Sequence, residues 1–296
     1  MLTKKYLLAS LLLVIMIYLS FKKPLDEEKS ATKYLIIIPY RDRKEHLKVF
    51  KERAVPFLRE HLKDVMFLVA EQDNKELFNK GKLYNIAYLA SLKLKYSADY
   101  IIFNDVDHVP VNNANYISTN PNTVVQVRGP PHTMGGISLF PTNKFKQVNG
   151  WANSYVGWGR EDVDMEDRLI HEKITIEKKN LENLYCKSFG EYAKSLKGPI
   201  GRICGEYNCF DKPRNHGITT ENKKKILEKI KDKKCSFDVL EHEKRSDNVK
   251  SNKKTYNEKK KDSYKKDGLN QLNIENVKIR EIENDGDYLH LGFDIY

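Results

Sequence analysis

Two acidic clusters are the residues of this chain best suited to chemistry. Asp105-Val106-Asp107 follows the apolar run YIIF (100–103), and Glu161, Asp162, Asp164 and Glu166 stand directly behind Gly157-Trp158-Gly159. Carboxylates crowded in this way are a poor core and a good site. Two aspartates at a strand end can serve a sugar or ribose hydroxyl and a hard divalent cation, Mn2+ or Mg2+, which bridges a pyrophosphate. An isolated D-x-D equally fits an exposed turn. The strand-like run before it and Pro110 after it favour a metal-dependent nucleotide-sugar site. A carboxylate behind a glycine-flanked tryptophan can be delivered by loop closure, which also excludes water. Packing as an ordinary buried aromatic is the alternative for Trp158, but its glycine neighbours favour movement. Asp164 and Glu166 read as helix-terminal charges rather than catalysts.

The elements that must position these residues are legible in the hydrophobic pattern. YLIIIP (34–39), VMFLVA (65–70) and YIIF (100–103) are short continuous apolar runs, the mark of buried parallel strands. Residues 41–59 and 80–95 carry apolar side chains at helical spacing between them. The order β-α-β-α-β predicts a doubly wound α/β sheet with the acidic triplet at a strand's carboxyl end, where open α/β sheets hold ligands. After Pro110 the chain is turn-rich as far as Gly135-Gly136; a strand at 137–140 and helices at 143–148 and 161–171 follow. Residues 173–215 read as irregular, 223–233 as a helix, 248–266 as a polar segment of low hydrophobicity, and 272–295 as two closing strands.

The 296 residues carry a formal charge of +11, and the pI is near 9.2. Much of the excess lies in lysine runs between Lys223 and Lys266, interleaved with acids and asparagine, which read as a solvated face rather than a nucleic-acid surface. Residues 6–21 (YLLASLLLVIMIYLSF) are uncharged and bracketed by lysines. They are shorter than the ~20 apolar residues of an average span, so a short signal anchor, a cleaved signal peptide and a buried helix compete. The anchor is preferred, with 1–5 as a cytoplasmic tail, 22–32 as a linker and 33–296 as the catalytic domain. Cys186, Cys204, Cys209 and Cys235 permit disulfides whose pairing stays open; no C-x-x-C spacing supports a zinc site.

Five ordered blocks, IIIPYRDRKEHL (36–47), LFNKGKLYNIAY (77–88), FNDVDHVP (103–110), the run 135–169 and DGLNQL (267–272), resemble the β-1,4-galactosyltransferase family. The resemblance implies a glycosyltransferase-A-like fold, a Rossmann-related mixed sheet flanked by helices, behind a short N-terminal membrane anchor. It implies a type II Golgi membrane protein with a lumenal catalytic domain. It also implies Mn2+-dependent, inverting transfer of galactose from a UDP-sugar to a glycan or glycosaminoglycan-linker acceptor. Pro39, Tyr40, Arg41 and Arg43 match the family's donor-binding P-F-R-x-R, where arginines meet the diphosphate. Phe78 and Lys80 match the uridine- and phosphate-contacting F-N-R, and Asp105, Val106 and Asp107 the D-V-D, with Asp107 as a metal ligand. Gly135, Gly136, Trp158, Gly159 and Arg160 fall on the acceptor side, Trp158 touching both sugars. Asp162 matches the general base and Glu161 a sugar-hydroxyl binder.

Departures from the family pattern bear on detail. WGRED has Arg160 where W-G-G-E-D has glycine, as in the xylosylprotein galactosyltransferase branch. Thr133-Met134 replaces Tyr-Phe before Gly135, and a smaller residue there admits an N-acetyl group, so UDP-galactose and UDP-N-acetylgalactosamine both remain open as donor. His216 is the expected further metal ligand, reached across an insertion at about 187–211; His171 and His108 are weaker candidates. The competing readings are a metal-dependent nuclease or phosphotransferase and a membrane-tethered glycan-binding relative without activity. The first predicts steep salt-dependent nucleic-acid binding, which is not expected.

Overall fold

The fold is organised around strand β1 (Lys33–Tyr40), whose residues Leu35 to Ile38 are fully buried. It lies between β2 (Asp64–Gln72) and β3 (Tyr100–Asn104), parallel to both. The computed structural model describes residues 31–110, 120–157, 159–179, 186–187, 200–203, 245–259 and 262–295. The 6–21 segment, the 223–233 helix, Trp158, His216, Cys204, Cys209 and Cys235 lie outside them. Among the described residues no helix is long and apolar enough to cross a membrane.

Ile36 and Ile38 face one core and Leu35 and Ile37 the other, as strand alternation requires. The first core is capped by α1 (Lys44–Val49), a π-helical turn (Phe50–Ala54) and α2 (Val55–His61). Pro56 has no N–H to give back to the preceding turn, and the Val55 N–H bonds instead to Phe50 O, five residues back. The second core is covered by α3 (Lys80–Lys93), started by Asn79, whose side chain accepts from Lys82 N at 2.9 Å. Gly81 lets α3 press against Ala152: a Cβ there would lie 2.3 Å from the Ala152 carbonyl oxygen. Each fully buried Ile, Leu or Phe in these layers contributes about 1.5–3 kcal/mol.

Beyond β3 the sheet changes sense. β5 (Thr123–Arg128) and β6 (Ile137–Pro141) follow β4 (His108–Pro110), and β7 (Thr175–Lys178) comes after α4 (Thr142–Gln147) and α5 (Glu161–His171). With the hairpin β10 (Lys278–Asp285) and β11 (Tyr288–Asp294), the strand order is β10-β11-β2-β1-β3-β6-β5-β7. β6 is antiparallel to β3, while β11 runs parallel to β2. A second small sheet joins β4 to β9 (Ile200–Ile203) and β8 (Cys186–Lys187). The exposed edge strand β10, KIREIEND, is charged, which discourages pairing with other chains.

Four segments differ from the reading of the sequence. β5 lies in the turn-rich stretch, and β7, β8 and β9 in the irregular one: β5 pairs with β6 and β7, and β9 with β4 and β8, so sheet pairing supplies what local pattern lacks. The polar segment 248–266 is largely helical: α6 (Arg245–Glu258) is followed by a 3-10 turn (Ser263–Lys266). The first closing strand begins at Lys278, after a 3-10 turn at Ile274–Asn276.

The DGLNQL block ties the end of the chain to residues 149–154. Asp267 accepts from Asn153 N and Ser154 Oγ at 2.8 Å each, and Lys259 Nζ lies 2.8 Å from it. Gly268 passes so close to Asn149 that a Cβ would sit 1.9 Å from its carbonyl oxygen. Burial would raise the Asp267 carboxyl, but Lys259, Ser154 and Asn153 outweigh it and hold it below the usual range. A depressed carboxyl stabilises the fold above its unfolded value and loses that contribution as pH falls through the folded one. Asp267→Asn is therefore expected to cost about 2 kcal/mol near neutral pH and to flatten the loss of stability below about pH 4. Denaturant unfolding across that range measures both, and equal acid slopes in variant and wild type would refute it.

Candidate active site

The site forms where β3 ends. Asn104, fully buried, donates through Nδ2 to the carbonyls of Asp105 (2.8 Å) and His108 (2.9 Å) and so closes the turn between them. This brings ligand atoms of Asp105, Asp107 and His108 within 4.8 Å of one another. Asp107 and His108 are buried, and His108 Nδ1 lies 2.9 Å from Asp107 Oδ1. Two hard carboxylate oxygens beside an imidazole are a donor set that suits Mn2+. Arg43 Nη1 stands 3.6 Å from Asp107 Oδ2. Val106, 2% exposed, serves the core instead. His171 is elsewhere, 3.2 Å from Asp262 and edge-on to Tyr264.

Lys80, the first residue of α3, reaches across this turn. Its Nζ lies 2.9 Å from Asp162 Oδ1, 3.2 Å from Glu161 Oε1 and 3.7 Å from Asp105 Oδ1. Burial opposes the ammonium, but the three carboxylates overcome it and hold Lys80 well above its ordinary value. Asp162 is pushed up to about 7: burial dominates, Lys80 opposes it, and the nearby charges of Glu161 and Asp105 add to it. Tyr84 OH donates to Asp105 Oδ1 at 3.2 Å, a partner the motif reading did not single out.

The glycine pair positions the start of α5 against the turn that carries Asp105, Asp107 and His108. Asp105 N bonds to Gly136 O and Met134 N to Asp162 O, each at 2.9 Å. Gly135 is required, since a Cβ there would lie 2.3 Å from Asp162 Oδ2. Gly159 (φ +101°) and Arg160 (φ +81°) lead into α5 in left-handed backbone, which explains glycine as the family habit at the Arg160 position. The four acids of this segment then divide. Asp164 is buried between Arg168 Nε (2.6 Å), Lys259 Nζ (2.9 Å) and Tyr155 OH (3.1 Å), while Glu166 pairs with Lys178 at 2.8 Å. Glu161 and Asp162 alone face Lys80, and Glu161 Oε2 is buried without a hydrogen-bond partner among the described residues.

Arg41 and Arg43 follow the carboxyl end of β1. The Arg41 guanidinium stacks on Phe78, 5.1 Å from its centroid, and donates to the Glu76 carbonyl. Tyr40 packs edge-on against His290 at 5.3 Å, and Pro39 stays in register with Ala70 inside the sheet. The fold thus gathers Lys80, Asp105, Glu161, Asp162, Gly135 and Gly136 at one place, with Asp107 and His108 on the same turn as Asp105. Val106 is committed to packing, and Tyr40 lies against His290.

This architecture is shared with nucleotide-sugar glycosyltransferases of known structure. A Drosophila β-1,4-galactosyltransferase 7 mutant, solved with manganese, UDP-Gal and xylobiose, superposes with a TM-score of 0.55 at 19% identity over 88% of this chain and 93% of that one. Residues 20–120 match the N-terminal region of glycosyl transferase group 7, and residues 124–189 the N-terminal domain of galactosyltransferase. The chain belongs to the β-1,4-galactosyltransferase family. A Lymnaea stagnalis β-N-acetyl-D-glucosaminide β-1,4-N-acetylglucosaminyl-transferase is 35% identical over 51% of this chain and 33% of its own length. β-1,4-Galactosyltransferase 4 of Cricetulus griseus is 33% identical over 52% and 47%. The chain thus spans between a third and about half of the length of these relatives.

Metal binding tests the turn directly. Asp107→Asn and His108→Ala are each expected to weaken Mn2+ binding about tenfold or more, with His171→Ala neutral. Titration with the metal alone measures it, and unchanged affinity in His108→Ala would remove the imidazole from the ligand set.

Proposed function

We propose that the chain is a Mn2+-dependent inverting glycosyltransferase that moves galactose from UDP-galactose to a hydroxyl of a glycan or glycosaminoglycan-linker acceptor in β linkage. The observation that carries this reading is Lys80, which joins Asp105 of the cation turn to the carboxylates of Glu161 and Asp162. A single small volume thereby holds a place for a pyrophosphate-bound cation and, beside it, a base.

In this reading Asp105, Asp107 and His108 hold the cation, which when bound neutralises charge growing on the departing diphosphate. Arg41, Arg43 and Lys80 meet the same charge as fixed cations, and Phe78 with its stacked arginine forms a wall for uridine. His216 stays a proposed further ligand and Trp158 a proposed contact to both sugars; both lie outside the described residues. Asp162 takes the proton of the attacking hydroxyl on the face of the sugar opposite the diphosphate. Glu161 Oε2, buried without a hydrogen-bond partner among the described residues, accepts from a sugar hydroxyl. Thr133, half-buried where relatives carry a larger residue, supports a second donor, UDP-N-acetylgalactosamine, and WGRED supports a xyloside acceptor.

We further propose that residues 6–21 anchor the chain in a Golgi or secretory-pathway membrane, with the catalytic unit lumenal. Protease protection of residues 33–296 in sealed microsomes is the expected result, and full digestion there excludes that orientation.

The full chain in detergent, with Mn2+ and a panel of UDP-sugars, should release UDP and transfer to xyloside, glucosamine or glucose acceptors; no release with any donor refutes the enzyme reading. The rate should also depend on the ionisation of Asp162. kcat/KM is expected to fall on the acid side with a limb near 7, far above an ordinary carboxylate. Lys80 favours the ionised form, so Lys80→Gln should move that limb to higher pH as well as lowering the rate. A limb near 4 in both proteins would take the role of base away from Asp162.

A further inference from the structure

We infer that helix α6 is a clasp for the base-bearing end of α5, and that Asn252 is its positioning residue. The inference rests on the glycosyltransferase reading, because it is Asp162 that the clasp positions. Asn252 is 2% exposed, and both hydrogens of its one amide nitrogen are used: Nδ2 donates to Val156 O at 2.9 Å and to Gly159 O at 3.0 Å. Those carbonyls bracket residues 157 and 158, and Arg160 with Glu161 follow at once.

The clasped backbone cannot hold this path through its own preferences. Gly157 (φ +70°) and Gly159 (φ +101°) adopt left-handed backbone freely without being confined to it, whereas Arg160 (φ +81°) is strained there, so the path persists only where its surroundings fix it. α6 supplies that fixing from one face. Asn248 packs so tightly on Gly157 that a Cβ there would lie 2.4 Å from its Nδ2. The Arg160 guanidinium stacks 5.3 Å above the Tyr256 ring, and the Tyr256 hydroxyl donates to Asp167. Lys259, just past the helix, pairs with Asp164 at 2.9 Å. Positions 248, 252 and 256 recur at helical spacing and, among the described residues, face the loop and α5, while Lys259 reaches both α5 and Asp267. None of these residues falls in a block shared with the family, whose glycine at the Arg160 position takes this backbone without help.

The test uses the full chain and the substitutions Asn252→Leu, similar in size but without a donor, and Tyr256→Phe, which keeps the ring and loses the hydroxyl. In Asn252→Leu, amide exchange over 156–162 should rise about tenfold or more while exchange over 100–110 stays unchanged. The kcat for sugar transfer should fall about tenfold or more, with KM for the UDP-sugar and the affinity for Mn2+ within about twofold. Tyr256→Phe should keep kcat within about twofold. Faster exchange with an unchanged kcat would make Asn252 merely structural, and unchanged exchange would overturn the clasp outright. If the wild-type chain transfers no sugar, the glycosyltransferase reading falls, and exchange over 156–162 alone decides whether Asn252 holds the loop.

Discussion

One ammonium group among three carboxylates is the constraint on which the rest of the site depends. Asp105, Glu161 and Asp162 come from two elements far apart in sequence, and their charges repel at the distances observed. Lys80 makes the arrangement tenable, and it does so from the first turn of α3. α5 begins at the same place, with Glu161 and Asp162 in its first turn, so its positive dipole end also meets the acids. A buried pair of this kind adds little net stability. What it fixes is geometry, and it keeps Asp162 partly ionised where burial alone would protonate it.

Holding the two helix starts against each other takes a polar interior rather than an apolar one. Asn85, fully buried on α3, exchanges hydrogen bonds with Trp151 through both its amide nitrogen (2.7 Å) and its oxygen (2.9 Å). Asn79 caps α3 and also donates to Asn153 O at 2.7 Å. Asn153 in turn is held by Asp267 from the closing block. A satisfied buried network of this sort is demanding to form and rigid once formed. It runs from the Lys80 helix through residues 149–154 to the end of the chain, which is why DGLNQL belongs with blocks more than a hundred residues away.

Much of this was legible because it is local. YLIIIP, VMFLVA and YIIF announce buried parallel strands by composition alone, and an acidic triplet directly after the third places a site at a strand end. Glu161 and Asp162 at a helix start are equally local. β5, β7 and α6 were not legible: β5 and β7 pair with each other across α4 and α5, and α6 rests on a loop and helix far from it in sequence. α6 carries no apolar stripe; its inner face is Asn248, Asn252 and Tyr256, which works through hydrogen bonds and reads as a solvated run. The histidine shows the same limit in reverse. Motif spacing points to His216, which lies outside the described residues, while the turn closed by Asn104 brings His108 to Asp105 and Asp107, and motif spacing gave no sign of that closure.

The pairing of β11 with β2 sets an order on assembly. β2 is apolar on both faces and lies one strand from the centre, yet the strand that covers its outer edge is β11, made long after it. Until residues 288–294 are synthesised and docked, that edge offers a row of unpaired backbone groups flanked by Phe67, Leu68 and Val69. A chain cut short within the closing hairpin would keep most of the candidate site residues and expose a sticky strand, and its fate would be association with other chains.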